Sequence, residues 1–295
     1  MKIVVGIPAY NEEKNIGKIL VKLGKITNEI IVCDDGSSDL TGEIAEKMGA
    51  VVVTHPKNLG YGAGIRSIFL KAKEMDADIL VTFDADGQHR IQDIQKVIEP
   101  IVVDEADISI GSRFLDGNGK NVPKYRKVGI KTITSVTNTA LETKLTDSQS
   151  GFRAYNKKIL DEILPSEYGM SVSTEILIKA SKKGFRIKEV SIVVLYEGDT
   201  STHSPVSHGV SVLLDTLKFI SIERPLRFYG IPGMILFGIG LFFIIWTLQV
   251  FTETRQILTN LALIGIGSTL GGIMLLMTAT MLFSLVNVVR ERRSG

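Results

Sequence analysis

The sequence predicts a mostly parallel α/β domain followed by a two-helix apolar hairpin, and three observations predict it. Short β-type apolar runs alternate with helix-period stretches through about the first 200 residues, the pattern of a sheet with helices on its faces. Polar and acidic residues stand directly after nearly every apolar run. Two long uncharged stretches occupy the C-terminal quarter.

The first strand is read over Ile3–Ile7, within MKIVVGIPAYNEE, an apolar run too short for a signal sequence. A helix opening after Asn11 carries the stripe Ile16, Ile19, Leu20 and Leu23. The second strand, Ile30–Asp34, contains the single cysteine, Cys33, which reads as a small buried hydrophobe. One cysteine excludes an intramolecular disulfide framework and a Cys-rich zinc site. Further strands are predicted at Val51–Thr54, Ile79–Phe83 and Ile108–Gly111, with a helix stripe of Ile65, Ile68, Phe69 and Ala72 and another helix starting near Ser173. At 295 residues the chain accommodates one such domain and a smaller appendage. A net charge of +2, from 34 Lys and Arg against 32 Asp and Glu, offers no global field for nucleic acid.

From Tyr229 to Phe251 and from Leu261 to Val286 no charged residue occurs. Each stretch covers the roughly 20 residues that cross a ~30 Å hydrocarbon core. Lys218, Arg224 and Arg227 precede the first and Arg290, Arg292 and Arg293 follow the second, while the connection holds only Arg255. The positive-inside rule then places both chain ends and the N-terminal domain in the cytoplasm, with which the lack of any Asn-x-Ser/Thr sequon agrees. The expected division is residues 1–205 as catalytic domain, 206–228 as a juxtamembrane amphipathic helix and 229–295 as two spans with a basic tail. Val210, Leu213, Leu214, Leu217, Phe219, Ile220 and Ile222 form the apolar face of that helix, which either lies in the membrane interface or packs on the domain. Gly267, Gly271 and Gly272 suit close helix contact, within the hairpin or between copies in a homo-oligomer.

In an open parallel sheet, ligands sit beyond the carboxyl ends of the strands. Pro8-Ala9-Tyr10-Asn11-Glu12, Asp34-Asp35-Gly36-Ser37-Ser38-Asp39, Asp84-Ala85-Asp86-Gly87-Gln88-His89 and Ser112-Arg113 all fall there. Singly they have local explanations, Asn11 and Asp39 as helix caps and Gly36 as a turn residue. Together they predict a site. Two carboxylates one residue apart at a strand end repel each other unless a cation sits between them, and hard oxygen ligands suit Mg²⁺ or Mn²⁺ bridging phosphates.

PAYNE, CDDGSSD, DADGQH and GSRF, in this order, make the domain resemble the family 2 glycosyltransferases of the GT-A fold. The likeness runs from Met1 to about Tyr196 and is greatest to the branch that loads dolichyl or other polyprenyl phosphates with mannose, glucose or N-acetylglucosamine. The resemblance implies that Pro8, Tyr10, Glu12 and Asp35 hold the donor nucleoside. Asp84, Asp86 and Gln88 would surround the metal and the diphosphate, and Arg113 would contact phosphate. Lys57–Gly64, KNLGYGAG, resembles a loop near the nucleotide. It does not follow the first strand, which argues against a dinucleotide site.

On the acceptor side a phosphate oxygen is the nucleophile, ionised near neutral pH, so cations matter more than a base. Arg126 resembles the arginine that binds acceptor phosphate, with Lys127 beside it; a solvated basic patch is the other reading. Asp147–Arg153 resembles a DxxSGF segment, with Ser150 and Gly151 bordering the sugar and acceptor. Glu175 either orients the donor sugar or supports the site; with Asp86, Arg113 and Arg126 it completes the expected catalytic set. The Arg-x-Gly-x-Ser-Lys loop of many mannose synthases is replaced by Glu197–His203, which turns the expectation from GDP-mannose toward a UDP-sugar and leaves cationic closure to His203 or His208. A processive polysaccharide synthase and a non-catalytic nucleotide-sugar-binding membrane subunit remain alternatives.

Overall fold

The structure is a computed structural model and describes residues 1–116, 122–194, 214, 217, 220–222, 224–256 and 258–294. Two compact units divide the chain, Met1–Thr216 and Leu217–Gly295.

The first unit is built on strands β1 (Ile3–Ala9), β2 (Ile30–Asp34), β3 (Val51–Thr54), β4 (Ile79–Thr82), β5 (Ile108–Ser112), β6 (Arg153–Asn156) and β7 (Ile187–Ser191). They form one sheet in the order β3-β2-β1-β4-β6-β5-β7. β1 pairs in parallel with β2 and β4, β2 with β3, and β5 with β7, whereas β6 runs antiparallel between β4 and β5. Every residue of β2, β4 and β5 is buried, which explains why these strands read as continuous apolar runs. The sequence reading misses β6 and β7. RAYN is short and polar, and IKEVS alternates charge with half-buried positions.

Helices α1 (Glu13–Leu23), α2 (Thr41–Lys47) and α4 (Asp93–Val102) contribute to one apolar core with β1, β2 and β4. The α1 stripe of Ile16, Ile19, Leu20 and Leu23 lies in that core. Across the sheet, α3 (Tyr61–Glu74) packs on β1 and β2 and against α6 (Lys157–Glu162) and α7 (Val172–Lys182). Its stripe Ile65, Ile68, Phe69 and Ala72 is buried. Helix α5 (Lys124–Asn138) opens directly after Pro123. Asn11 does not cap α1: its side chain accepts from the Ser38 amide. Asp39 accepts from the amides of Glu13 and Thr41 and so caps the starts of both α1 and α2.

The second unit holds a π-helical turn, Leu226–Gly230, and helices α8 (Ile231–Thr254) and α9 (Thr259–Ser294). The segments Leu226–Thr254 and Thr259–Val286 are long and apolar enough to cross a membrane, and only 11% of each apolar window is buried. A core helix of a globular domain hides far more, so that alternative does not fit. Glycines set the helix–helix contact: a Cβ on Gly240 would meet the Thr269 amide nitrogen at 2.5 Å, and one on Gly272 the Phe237 nitrogen at 2.6 Å. Gly233 faces Leu275 and Leu276, and this descending order makes the pair antiparallel. Gly271 meets Leu236, whereas Gly267 faces open space. Of the expected juxtamembrane helix, only residues 214, 217, 220–222 and 224–228 are described, and Glu197–His203 and His208 lie outside the described residues.

Candidate active site

A cavity of about 390 Å³ lies beyond the carboxyl ends of β1, β4 and β5. Into it the fold brings Pro8, Tyr10 and Glu12 from the end of β1, Asp84, Asp86 and Gln88 from the turn after β4, and Arg113 from the end of β5. Arg126 comes from the first turn of α5, and Ser150 and Gly151 from the approach to β6. Those ten are the expected residues that share one space; Asp35, Lys127 and Glu175 do not line it.

Asp84 and Asp86 are held differently. The Tyr61 hydroxyl donates to Asp84 Oδ1 at 3.1 Å, and His89 Nε2 stands 3.2 Å from Oδ2. Burial raises this carboxyl, but the hydrogen bond and charge of His89, the Tyr61 hydroxyl and the Arg113 charge outweigh it and hold Asp84 below its ordinary value. Asp86 accepts the Gln88 amide at 2.9 Å. Its carboxyl is pushed up, first by burial and next by the negative charge of Asp84. The Glu12 carboxyl is also raised, chiefly by burial and in part by Asp86, against a lowering hydrogen bond from Asn15. Asp86 and Glu12 are therefore the carboxylates of the cavity whose charge is least compensated, and a divalent cation would supply the difference.

The donor chemistry fits such an ion. Among the described residues no group of three or more His, Cys, Asp or Glu side chains is disposed to hold a metal. Two carboxylates and an amide oxygen are too few for a closed cage. They suit Mg²⁺ or Mn²⁺, which commonly takes one or two carboxylates and completes its shell with water and substrate phosphate.

Arg113 is aimed by a buried partner. Its Nε donates to Asp147 Oδ2 at 2.6 Å and its second terminal nitrogen to Oδ1 at 2.8 Å, the bidentate geometry that fixes a guanidinium. Asp147 is fully buried, and the arginine's charge, outweighing burial, keeps its carboxyl low. Glu189 from β7 accepts the amides of Thr146 and Asp147, each at 2.8 Å, and so locks the segment bearing that aspartate. Gly151 is where the two halves close: a Cβ there would stand 2.5 Å from the Tyr61 hydroxyl and 2.8 Å from both Asp84 carboxylate oxygens. The Ser150 hydroxyl is buried, faces the same cavity and has no hydrogen-bond partner among the described residues.

Two expected site residues stand outside this cavity, and of the two readings of Glu175 its contacts favour support of the site. Asp35 is 5% exposed, and its carboxylate accepts the amides of Leu59 and Gly60, with His55 Nδ1 at 2.6 Å. It anchors the loop that starts α3 and thereby seats Tyr61. Glu175 is fully buried and accepts from the amides of Ser166 and Glu167, the Ser166 hydroxyl and Lys179. It is a positioning residue for loop 164–171, whose Met170 lines the cavity and whose Tyr168 carbonyl takes the Gly62 amide at 2.8 Å. Lys127 neighbours Arg126 on α5 without reaching the cavity. Sequence reasoning had not assigned Tyr61, His89, Gln149 or Ser173 to the cavity, though the first three sit inside the segments KNLGYGAG, DADGQH and DSQSGFR.

With this geometry in place, comparison with known proteins is specific. The model of the family described as glycosyl transferase family 2 matches residues 4–164. The chain is 39% identical over 218 residues to the uncharacterized protein MJ1222 of Methanocaldococcus jannaschii, covering 72% of this chain and 87% of that one. It is 36% identical over 230 residues to a UDP-N-acetylglucosamine–dolichyl-phosphate N-acetylglucosaminyltransferase of Methanococcus voltae, covering 70% of this chain and 89% of the relative. Among solved structures, glucosyl-3-phosphoglycerate synthase from Mycobacterium tuberculosis, in complex with Mn²⁺ and UDP-glucose, superposes with a TM-score of 0.57 at 20% identity, over 75% of this chain and 78% of that one. At that identity the likeness speaks for the fold alone.

Proposed function

The chain belongs to glycosyl transferase family 2 and is a glycosyltransferase of GT-A fold, and on that premise we propose that it moves one hexose or N-acetylhexosamine, with inversion, from a UDP-sugar to a polyprenyl (dolichyl) phosphate. The observation that carries the proposal is the single cavity in which Asp84 and Asp86 face Arg113 and Arg126, an arrangement for two anions and a bridging cation. The dolichyl-phosphate specificity in the name of the Methanococcus voltae relative supports the lipid acceptor and a UDP-linked donor.

In this reading Pro8, Tyr10 and Glu12 border the nucleoside, and Asp86, Asp84 and Gln88 hold a divalent metal. That ion, when bound, neutralises charge on the departing diphosphate. Arg113, fixed by Asp147, donates to the same phosphates. Arg126 receives the acceptor phosphate, with Ser150 and Gly151 bordering the sugar. A phosphate oxygen of the lipid attacks the anomeric carbon from the side opposite the diphosphate. The new carbon–oxygen bond forms as the bond to the donor phosphate breaks, and the electron pair leaves with the nucleoside diphosphate. The nucleophile is already an anion, so no proton has to be removed, and holding two anions in line supplies most of the catalysis.

Residues 1–205 form the catalytic domain in this assignment, 206–228 the juxtamembrane helix, and 229–295 two spans and a basic tail. The flanking arginines place both ends in the cytoplasm. The test incubates the full chain with radiolabelled UDP-glucose, UDP-N-acetylglucosamine or GDP-mannose, a polyprenyl phosphate and Mn²⁺. A mild-acid-labile lipid product from a UDP-sugar is expected. A polymer would identify a processive synthase, and no product from any donor would refute the transfer.

A further inference from the structure

We propose that a basic groove beside the active cavity is a seat for anionic lipid headgroups and holds the catalytic unit on the bilayer surface. The groove has a volume of about 760 Å³. One wall is α1 and the residues just after it, bearing Lys18, Lys22 and Lys25; the other is the segment that follows Asp86, bearing Arg90. Ile19 and Ile26 give it an apolar floor.

No acidic side chain pairs with Lys18, Lys22, Lys25 or Arg90 among the described residues, although Lys71, Lys73, Lys96, Lys157, Lys179, Lys183 and Lys188 of the same unit each pair with a carboxylate. Lys14, Lys18 and Lys22 also recur at every fourth position of α1, a like-charge spacing that weakens a helix on its own. Exposed and without an internal counter-charge, these cations lining one groove are open to an external polyanion.

The apolar floor and the chain's architecture select a lipid surface over a free phosphate. α8 and α9 are long and apolar enough to cross a membrane, so chain connectivity confines the catalytic unit near a bilayer. Clusters of about four or more Lys and Arg in that position are drawn to anionic leaflets. The groove shares Asp86 and Gln88 with the active cavity, so a headgroup seated there brings the mouth of the site to the surface from which a lipid acceptor is drawn. The inference rests on reading α8 and α9 as membrane spans and not on sugar transfer.

The test uses the full chain in nanodiscs of phosphatidylcholine alone or of phosphatidylcholine with phosphatidylglycerol. A water-soluble amine-reactive ester is added, and labelling of each lysine is followed by mass spectrometry. Acylation of Lys18, Lys22 and Lys25 is expected to slow several-fold in the anionic discs and to recover at about 0.5 M salt, where surface attraction is screened. Lys73, on α3 across the sheet, is expected to react alike in both. Equal rates for the three lysines in the two discs would overturn the proposal, as would equal protection by inorganic phosphate in detergent, which would mark a soluble-anion site. No donor or acceptor is present, so the outcome is independent of whether the chain transfers sugar.

Discussion

The turn after β4 and the two loops beside it, 57–62 and 164–171, use carboxylates in opposite ways. In the turn, Asp84 and Asp86 line the cavity, and Asp86 is held above its ordinary pKa by burial and by the charge of Asp84, against one lowering bond from the Gln88 amide. Against those loops, Asp35 after β2 and Glu175 on α7 are more deeply buried, and each accepts two backbone amides from the loop it holds. The difference teaches that several backbone N–H groups can claim a buried carboxylate at a strand end or on a helix and turn it to holding a loop. Asp35 and Glu175 keep Tyr61 and Met170 in place, and the turn carboxylates face the cavity.

Replacing Asp86 with Asn should separate the two classes most sharply. Transfer is expected to fall at least about 10²–10³-fold, as for removal of a key charge-stabilising group. Thermal stability should hold or rise, because a carboxyl raised by burial is replaced by a neutral amide. A concomitant loss of stability would put Asp86 in the structural class. Gly151→Ala tests the join between the regions: its Cβ would intrude on Tyr61 and both Asp84 oxygens, and activity is expected to fall about 100-fold with a strain cost of about 1–3 kcal/mol.

Glu175→Gln should do the reverse of Asp86→Asn. An amide cannot accept at both positions, so the variant is expected to lose about 1–3 kcal/mol of stability in thermal unfolding. Its KM should rise as loop 164–171 loosens while metal affinity is retained. Tyr61→Phe removes one hydrogen bond from Asp84 and is expected to cost no more than about tenfold in kcat/KM.

The smallest effect is that of pH. A proton competes with the cation for Asp86, so metal-dependent donor binding should weaken as pH falls through the raised pKa of that group, by about a decade per pH unit below it. The loss should begin at a higher pH than an ordinary aspartate, near 3.9, would give. For Asp147 acidification costs folding instead of binding: its depressed carboxyl lends stability that is complete above the unfolded value and lost as pH falls through the folded one.

Much of this was legible in the sequence. β1, β2, β4 and β5 announce themselves because they are largely buried and mostly apolar, and the edge strand β3 because VVVT is all β-branched; β6 and β7 do not, because their few residues are polar or only half-buried. Seven of the ten expected site residues in the cavity meet there because the carboxyl ends of β1, β4 and β5 converge; Arg126 comes from α5, and Ser150 and Gly151 from the approach to β6. Sequence did not reveal that Asp35 and Glu175 face inward to loop amides, since those partners are backbone groups with no signature in the residue string. Tyr61 and His89 escaped for a related reason. Each contacts Asp84, a partnership that only the distances reveal.

The central claim is that Asp86 and Asp84 capture a divalent ion shared with the donor's diphosphate. Mn²⁺ spin resonance on the purified full chain, titrated with and without UDP, tests it most directly. Binding that strengthens several-fold with UDP and is lost in Asp86→Asn, with the fold intact, is the predicted result. Mn²⁺ bound equally well by the variant, or indifferent to UDP, would contradict it.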